Sequence, residues 1–377
     1  LVANLAFTFP MSIWGSIIQA YEDFVFQKSL NIFRIILNTA VMICLLHFGY
    51  KAVAMVVVQT IFNVLTLVLN FIYCRRKLNI HIYFRFKHFH WGFLKEVAIY
   101  SFWIFLNAIM DRVYWSTGQF VLGAMVGTAA VAVFAIAIQL EGMYMQFSTA
   151  ISSVFLPKVT AMVATNRSRK EISDLFIRTG RMQYIVLAYI LSGFIIFGRQ
   201  FIELWAGAGY SDAYIISLLF FIPLTVPLIQ NLGITILQAR NEMKFRSVLY
   251  IIIALVSLAM QIVLTRFFGG IGCAMGVSGA LVVGQILIMN VYYRRRQDLD
   301  IKTFWKEISK MSIIPIVLIF SSMLVIRHFF ALDSWGKLIL GIAAFSLVYI
   351  PLFFRFSMTD DERNLFISMF HKIFDKA

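Results

Sequence analysis

Charged residues, cysteine and metal-ligand motifs are all scarce in this sequence. Asp, Glu, Lys and Arg together supply 14% of the 377 residues, which is too little charge for a water-soluble chain of this length. Three cysteines give no basis for a disulfide framework. The six histidines are scattered, with neither an HExxH motif nor a Cys/His ligand spacing, so no metal or other cofactor is expected.

Long apolar runs take the place of the missing charge. Hydrophobic residues make up 61% of the chain, and the runs are about 20 residues long, the length that crosses roughly 30 Å of hydrocarbon as a helix. The weak alternation of a membrane barrel is not found, so the sequence predicts an all-α integral membrane protein. We count eleven spans, near residues 1–19, 31–48, 52–73, 93–122, 128–157, 182–200, 212–238, 246–265, 272–293, 311–328 and 337–355.

The net charge of +15 is unevenly divided between the two ends of these spans. Six Lys or Arg residues lie in each of the loops near 74–95, 158–181 and 294–310, and smaller basic loops near 20–34 (with Arg34) and 239–246 (with Arg246) fall on the same side. The positive-inside rule makes this side cytoplasmic, with the C-terminus inside and the N-terminus outside. Because these charges flank the membrane, we expect contacts with anionic lipid headgroups and no nucleic-acid partner.

Thirty residues of the sequence occur twice. Phe48–Lys77 aligned without a gap on Phe268–Gln297, 220 residues later, gives ten identities. Both copies end in Arg-Arg on the predicted cytoplasmic side, so the two repeated halves have the same orientation. The second copy closes a set of six spans and the first closes only three. We therefore expect the first half to lack its initial three helices, roughly 130 residues.

The repeat predicts two parallel-repeat helical lobes, with about eleven transmembrane helices present of an expected fourteen. The short C-terminal segment has apolar residues on one helical face, so it should lie on the inner membrane surface. The expected organisation is the C-terminal half of a first lobe (1–75), a cytoplasmic linker (76–92), a six-helix second lobe (93–296), two additional spans (297–356) and a cytoplasmic amphipathic tail (357–377).

Three ionisable residues lie within predicted spans, where each costs at least about 2.5 kcal/mol and usually faces a cavity or a partner. Asn107 and Asp111 share one helical stripe, while Arg112 points about 100° away from it. Glu141 and Tyr144 share a stripe on the next helix, and we expect the two stripes to face one central cavity. Arg112 would attract a diphosphate or acidic sugar, and Asp111 and Glu141 would bind and release a proton or cation. The structural alternative is that Arg112 is neutralised by Glu141 or another acidic residue in a buried pair.

The span near 212–238 carries Pro223 and Pro227, followed by Gln230 and Asn231. Each proline removes a helix hydrogen bond, and the freed carbonyls are tolerable in a membrane only against protein or water. We expect the prolines to act as a gating bend and the two amide side chains to line the cavity. A static kink is the alternative.

Small residues recur every fourth position near the end of the second lobe, at Gly272, Gly276, Ala280 and Gly284. This spacing puts them on one face of a helix, where they allow a second helix to approach closely. The pattern therefore predicts packing and not a ligand site.

Five short segments carry a family resemblance, in this order along the chain: Asn107–Arg112, Gln119–Gly123, Ser152–Pro157, Glu203–Gly207 and Leu237–Asn241. Together with the six-plus-six-plus-two arrangement they resemble the polysaccharide transporters of the multidrug/oligosaccharidyl-lipid/polysaccharide exporter superfamily, which include the O-antigen and capsule flippases. The resemblance implies a multi-pass protein of the bacterial inner membrane that flips undecaprenyl-diphosphate-linked oligosaccharide by alternating access. It also implies proton or cation coupling and contact with the glycan polymerase machinery.

Two other classes of function stay open at this point. A multidrug/cation antiporter or a lipid II flippase would belong to the same superfamily, although the two extra C-terminal helices disfavour the drug exporter, which usually stops at twelve. A membrane glycan polymerase would need a large external loop, whereas the longest external connection here is Phe201–Asp212. The sequence shows no nucleophile, metal or acid/base constellation, so we expect a transporter and not an enzyme.

Overall fold

A computed structural model describes residues 2–21, 23–49, 52–78, 80, 91–165, 167–329, 334–364 and 367–368. These residues are almost entirely helical and contain no strand. Nine helical stretches among them are long and apolar enough to cross a membrane. The chain is therefore an all-helical integral membrane protein, as predicted. Most of the expected linker (81–90) and of the amphipathic tail (365–366 and 369–377) lies outside the described residues.

The chain divides into two compact units, Leu1–Gly92 and Phe93–Ala377. The first unit contains α1 (Val2–Ala20), α2 (Phe24–His47) and α3 (Ala52–Arg76). Its small core joins α1 to α3, because Trp14 and Ile18 are buried with Cys74. Trp14 also packs edge-on against Phe71, with ring centroids 4.9 Å apart.

The second helix begins seven residues earlier than the apolar run predicts. Arg34 lies ten residues after Phe24, about 15 Å along the helix axis. The assignment of Arg34 to a cytoplasmic loop is therefore wrong. Lys28, Asn31 and Arg34 lower the hydropathy of this stretch, so a boundary drawn from hydropathy falls inside a helix that is already formed.

The second unit is built from ten further α-helices. Two of them, α8 and α9, divide one predicted span, and a π-helical segment, Val282–Ile288, separates α10 from α11. The helices are α4 (Trp91–Met125), α5 (Thr128–Ser152), α6 (Leu156–Ala164), α7 (Arg169–Trp205), α8 (Asp212–Ile229), α9 (Asn231–Ala239), α10 (Met243–Leu281), α11 (Met289–Arg295), α12 (Ile301–Phe329) and α13 (Trp335–Phe356).

Helix α7 lies at the centre of the second unit and carries the two C-terminal spans on one side. The hydroxyl of Tyr184 lies 2.6 Å from that of Ser312 on α12, and the hydroxyl of Tyr189 lies 2.6 Å from that of Ser346 on α13. Residues Asp360–Asn364 after α13 are also helical. Polar bonds thus reinforce the apolar packing of α12 and α13 on α7.

A buried ion cluster joins the end of the chain to α7. Arg181 donates from Nε and Nη2 to the two carboxylate oxygens of Glu362, at 2.7 and 2.8 Å. Its Nη1 donates to Glu307 of α12 at 2.8 Å. Arg181 and Glu362 are each 6% exposed, so the paired fork geometry replaces the water that both groups have lost.

Helix α10 is a hairpin of two antiparallel arms. Gly269 has φ 55° and ψ −133°, a conformation outside the range of a helix, and the chain reverses there. The arms touch backbone to backbone at two glycines: a Cβ on Gly272 would meet the carbonyl oxygen of Leu264, and one on Gly276 would lie 2.6 Å from the backbone nitrogen of Gln261. The predicted role of the small-residue spacing in helix packing is confirmed.

This hairpin accounts for one of the two spans by which the eleven predicted spans exceed the nine stretches, and α1 accounts for the other. One of the nine stretches, Met243–Arg295, holds both of its arms, and α1 is not among the nine. The count of eleven depends on dividing that stretch at Gly269 and adding α1, so it stays a prediction.

The two copies of the repeat share a backbone feature at their aligned starting positions. Gly49 has φ 78° and Gly269 has φ 55°, and each lies between one helix and an antiparallel successor. Only glycine adopts such values without a steric penalty from a Cβ. The identity at this position therefore has a structural reason in both copies.

The proline-bearing span is broken into α8 and α9 at Gln230, which has φ −103° and ψ 10°. Pro223 cannot donate to the carbonyl of Leu219, and Ser278 on α10 donates to that carbonyl from its hydroxyl at 2.6 Å. At the break itself, Ser148 on α5 donates to the carbonyl of Leu228 at 2.7 Å. Neighbouring hydroxyl groups thus donate to backbone carbonyls beside the proline and at the break, where a bilayer would supply no hydrogen bond.

Candidate functional site

A polar cavity lies inside the second unit, among α4, α5, α8, α9 and α10. Its volume is about 300 Å³, at the lower end of the range for small-molecule sites. Apolar residues line most of it, including Trp115 and Leu224. The polar side chains that converge there are Asn107, Asp111, Thr149, Asn231, Gln238, Arg246, Tyr250 and Gln285.

Arg246 supplies the positive charge of this cavity. It lies in the first turn of α10 and donates from Nη1 to Oδ1 of Asn107 at 2.6 Å. The Asn107 amide nitrogen in turn donates to the Trp103 carbonyl at 2.8 Å and to the Ser247 hydroxyl. Since these contacts fix the orientation of Asn107, they also hold the guanidinium of Arg246 in place.

Tyr250 links the cation of the cavity to its carboxylate. Its hydroxyl donates to Oδ1 of Asp111 at 2.6 Å, and its ring lies 5.3 Å from the guanidinium carbon of Arg246. No direct ion pair between Arg246 and Asp111 is present in the described part of the chain. The side chains of Arg246 and Asp111 can therefore each still bind a ligand.

Two donors at the cavity have no hydrogen-bond partner among the described residues. They are Nε of Arg246 and the amide nitrogen of Gln285, and both atoms are buried. Gln285 lies within the π-helical segment, a type of irregularity that often occurs at functional sites. Buried donors without partners cost free energy, which a ligand rich in acceptor oxygens would recover.

The stripe predicted on α4 faces α10. Asn107 contacts Ser247, Asp111 contacts Tyr250, and the Tyr114 hydroxyl donates to the carbonyl of Val277. Asn107 and Asp111 thus lie in one cavity, as the helical spacing of four residues predicts.

Arg112 lies on another face of α4, where its side chain is exposed, and it does not line the cavity. It has no ion pair with Glu141 in the region that the structure describes. The alternative of a buried Arg112–Glu141 pair therefore has no support here. A role of Arg112 as an anion contact outside this cavity stays a prediction.

The stripe of α5 is buried against other helices and does not line the cavity. The Tyr144 hydroxyl lies 2.7 Å from that of Thr225 on α8, and its ring stacks on Phe221. Glu141 is 3% exposed, and its Oε1 has no hydrogen-bond partner among the described residues. The cavity is thus lined by the α4 stripe, with the α5 stripe behind it.

The proline span contributes two of its four predicted residues to the cavity. Asn231 lines it and donates to the Ser152 hydroxyl at 3.0 Å, and Pro227 lines it as well. Gln230 instead donates to Asn290 at 2.9 Å, away from the cavity. Pro223 is half-buried in α8 and does not line the cavity either.

Three important cavity residues were not predicted from the sequence: Arg246, Tyr250 and Gln285. Arg246 was counted as a loop charge, although α10 begins at Met243 and includes it. Arg246 and Tyr250 are four residues apart, which puts a cation and an aromatic ring on one helical face. That spacing was the available signal for Arg246. Gln285 carries no comparable signal, because the π-helical segment changes the face that it occupies.

Comparison with known families shows a similarity over the first part of the chain. A family model described as a polysaccharide biosynthesis protein matches residues 1–215, more than half of the chain. The matched region includes Asn107 and Asp111 of the cavity but ends before Arg246. No curated protein and no solved structure shows significant similarity to the chain.

Proposed function

The chain belongs to the polysaccharide biosynthesis protein family, and from this premise we propose that it is a flippase for lipid-linked oligosaccharide. The substrate would be an undecaprenyl-diphosphate-linked O-antigen, capsule or exopolysaccharide unit. It would move from the inner to the outer leaflet of a bacterial cytoplasmic membrane. The family and the apolar helices support a membrane transporter of polysaccharide precursors, and the cavity supports this substrate class.

The observation that carries the proposal is the pair of unsatisfied donors beside Arg246. A guanidinium stays charged in a medium of low dielectric and donates paired hydrogen bonds to phosphate or carboxylate. Arg246 and Gln285 present donors without acceptors, and the cavity contains amides that suit sugar hydroxyls. A diphosphate or an acidic sugar would complete these hydrogen bonds.

Alternating access is proposed for the transport cycle. The internal repeat suggests lobes of the same orientation, which would alternately open the substrate site to the two sides of the membrane. The positive φ shared by Gly49 and Gly269 supports the repeat, and the break at Gln230 supplies a bend beside the cavity. Pro223 and Pro227 would act as the gating element at this bend, with Pro227 in contact with the cavity.

Asp111 is the proposed coupling residue, because it is the carboxylate that lines the cavity in the described part of the chain. Binding of a proton or cation at Asp111 would change the net charge beside Arg246 and so the affinity for an anionic substrate. Glu141, buried on α5, would be a second carboxyl group that binds and releases a proton or cation. We propose that the C-terminus is cytoplasmic and that the protein catalyses no covalent chemistry. The glycan polymerase machinery would then act on the flipped product.

The same carboxylate favours a second candidate, a cation-coupled exporter of the same superfamily. A multidrug/cation antiporter would use Asp111 to bind a cation and would not need Arg246. A lipid II flippase would need both residues. The two classes therefore differ in their dependence on Arg246.

Replacement of Arg246 tests the flippase. We expect Arg246→Ala to lower glycan export about 10- to 100-fold, the equivalent of losing one charge-assisted hydrogen bond. Arg246→Lys should retain part of the export, since it keeps the charge but not the paired geometry. The measurement is inner-leaflet lipid-linked glycan in a deletion strain complemented with each variant at equal protein level.

Lys244→Ala is the matched control, because Lys244 is exposed on the same turn of α10 and does not line the cavity. It should export at the rate of the unmodified protein. Normal export by Arg246→Ala would overturn the flippase as proposed. A loss of drug resistance without glycan accumulation would favour the antiporter.

A further inference from the structure

The first unit contains a polar cavity of its own, among α1, α2 and α3. Its volume is about 360 Å³, within the range of small-molecule sites. Polar side chains from all three helices line it, with Ile35 and Phe62 as apolar neighbours. These polar residues are Thr8, Arg34, Asn38, Thr39, Gln59 and Asn63.

Arg34 lies near the middle of α2, a candidate membrane span, and not at its end. It is about 15 Å from the start of α2 and about 20 Å from the end at His47. A charge at this depth is costly unless it faces a partner or a polar cavity. Arg34 has no ion pair or hydrogen bond within the described ranges, so the cavity is the polar surrounding that it has.

The amides around Arg34 are partly organised and partly unsatisfied. Asn63 donates to the Thr8 hydroxyl at 2.9 Å, which joins α3 to α1 across the cavity. Oδ1 of Asn38, one helical turn after Arg34, is buried and lacks a hydrogen-bond partner in the described part of the chain. The cavity therefore contains the permanent positive charge of Arg34 and amide groups that can donate hydrogen bonds. It also contains at least one acceptor, Oδ1 of Asn38, that has no hydrogen-bond partner among the described residues.

No carboxylate lines this cavity among the described residues, in contrast to the cavity of the second unit, which contains Asp111. A cation ligand would therefore meet only Arg34 and would be repelled. An anion alone would use Arg34 but leave the carboxamides of Asn38 and Gln59 without a role. The set fits a ligand with one oxyanion and several hydroxyl groups.

We propose that this cavity binds a sugar that carries a phosphate or carboxylate group. Arg34 would bind the oxyanion, and the carboxamides and threonine hydroxyls would hydrogen-bond to the sugar hydroxyls. The proposal builds on the flippase proposed above and assigns part of its glycan to the first unit. It does not need the second-unit cavity in order to be tested.

Binding of three soluble probes to the whole chain in lipid nanodiscs tests the proposal. The probes are methyl glucoside, glucuronate and glucose 1-phosphate, followed by saturation-transfer difference NMR, which suits millimolar affinities. We expect at least one anionic probe to bind about 10-fold more tightly than methyl glucoside, since one charge-assisted hydrogen bond supplies that ratio. Tighter binding of glucuronate would indicate a ligand with a sugar carboxylate, and tighter binding of glucose 1-phosphate would indicate a sugar phosphate.

Arg34→Ala and Arg34→Gln should both remove the preference for an anionic probe, and Arg34→Lys should keep part of it. Lys28→Ala is the control, because Lys28 is exposed on the same helix and does not line the cavity. Asn38→Leu should weaken the binding of all three probes to a similar extent. The two Arg34 replacements guard against a folding defect, since the Gln variant keeps a polar side chain at this depth.

Equal binding of the three probes, or an anion preference that survives in both Arg34→Ala and Arg34→Gln, would overturn the inference. Probe binding by the Arg34 variants is measured in an Arg246→Ala background, so that the second-unit cavity does not supply the anion preference, and glycan export by Arg246→Ala tests the flippase proposal separately. If Arg246→Ala exports glycan normally while Arg34 still governs probe binding, only the flippase proposal is lost. If Arg246→Ala blocks export and Arg34 has no effect on the probes, only the first-unit site is lost.

Discussion

Replacement of Gly276 by alanine should separate the two arms of the α10 hairpin. The new Cβ would lie 2.6 Å from the backbone nitrogen of Gln261 and 2.9 Å from its Cα. These are backbone atoms, so no rotamer change can make room for the methyl group. The arms can accommodate it only by moving apart along their shared face.

Two opposing contributions determine the size of the effect. Overpacking of a tight interface costs about 1–3 kcal/mol. Exchange of glycine for alanine inside a helix stabilises the folded state by about 0.5–1 kcal/mol, because glycine loses more conformational freedom on folding. A Cβ on Gly193 of α7 would have no neighbouring atom within 4 Å, so Gly193→Ala should show the entropic stabilisation without the packing cost. The difference between the two variants isolates the packing cost.

Thermal unfolding of both variants in one detergent is the measurement. We expect Gly276→Ala to unfold below the unmodified protein and Gly193→Ala at or above it. Since the first arm of α10 carries Arg246 and Tyr250, transport by Gly276→Ala should fall as well. Equal stability of the two variants would show that the arms do not pack as closely as the backbone distances indicate.

Two other predictions follow from buried hydrogen bonds. Burial alone would raise the pKa of the Glu362 carboxyl, but the hydrogen bonds and charge of Arg181, together with the hydrogen bonds from Thr359, outweigh it and hold the pKa below its usual value. Docking of the C-terminal segment should therefore be complete above about pH 4.3 and be lost as the pH falls through the lowered pKa. Glu362→Gln should cost about 3–5 kcal/mol and expose the segment to limited proteolysis at neutral pH. Ser278→Ala should lower the free energy of unfolding by about 1–3 kcal/mol, measured by thermal unfolding. The Leu219 carbonyl, to which Pro223 cannot donate, then loses its hydrogen bond from the Ser278 hydroxyl.

Each of these variants has a control in the chain. Asp360 is exposed, so Asp360→Asn should leave proteolysis of the segment almost unchanged. The Ser192 hydroxyl donates to the carbonyl of Ala188 one turn back on its own helix, so Ser192→Ala should unfold near the unmodified temperature. Unchanged proteolysis of Glu362→Gln, or equal effects of the two serine variants, would contradict the reasoning.

The features that follow from local chemistry could be predicted from the sequence. The four-residue spacing of small residues predicted the close face of the α10 hairpin, and Gly276 lies against backbone. The spacing of Asn107 and Asp111 likewise predicted that they share one helical face. These patterns succeed because helical periodicity depends only on residues within two turns of each other.

The partner of each face could not be predicted in the same way. The stripe that contains Glu141 and Tyr144 was expected at the cavity, but Tyr144 bonds to Thr225 of α8. Periodicity gives the direction of a side chain relative to its own helix, while tertiary packing decides which helix lies there. Spacing alone therefore could not tell a cavity-lining stripe from a buried one.

Charges in the N-terminal parts of helices were the second limit of the sequence. Arg34 and Arg246 were both counted in cytoplasmic loops, and both belong to helices that line polar cavities. A hydropathy boundary moves inward wherever charged residues occupy the first turns of a helix. Span boundaries drawn from hydropathy thus assign to loops Arg34 and Arg246, the two residues most relevant to an anionic substrate.

The hairpin of α10 also bears on how the protein enters the membrane during synthesis. The side-chain amide of Gln261 donates from Nε2 to the Ser257 hydroxyl at 2.8 Å, and the Cys273 thiol of the opposite arm donates to Oε1 of Gln261 at 3.5 Å. The first arm alone would present this amide to lipid, whereas the two arms together bury it, and Gly269 joins them with almost no connecting loop. The two arms should therefore partition from the insertion machinery into the bilayer as a pair. A chain that stalls before Gly276 emerges should be held at that machinery until the second arm arrives.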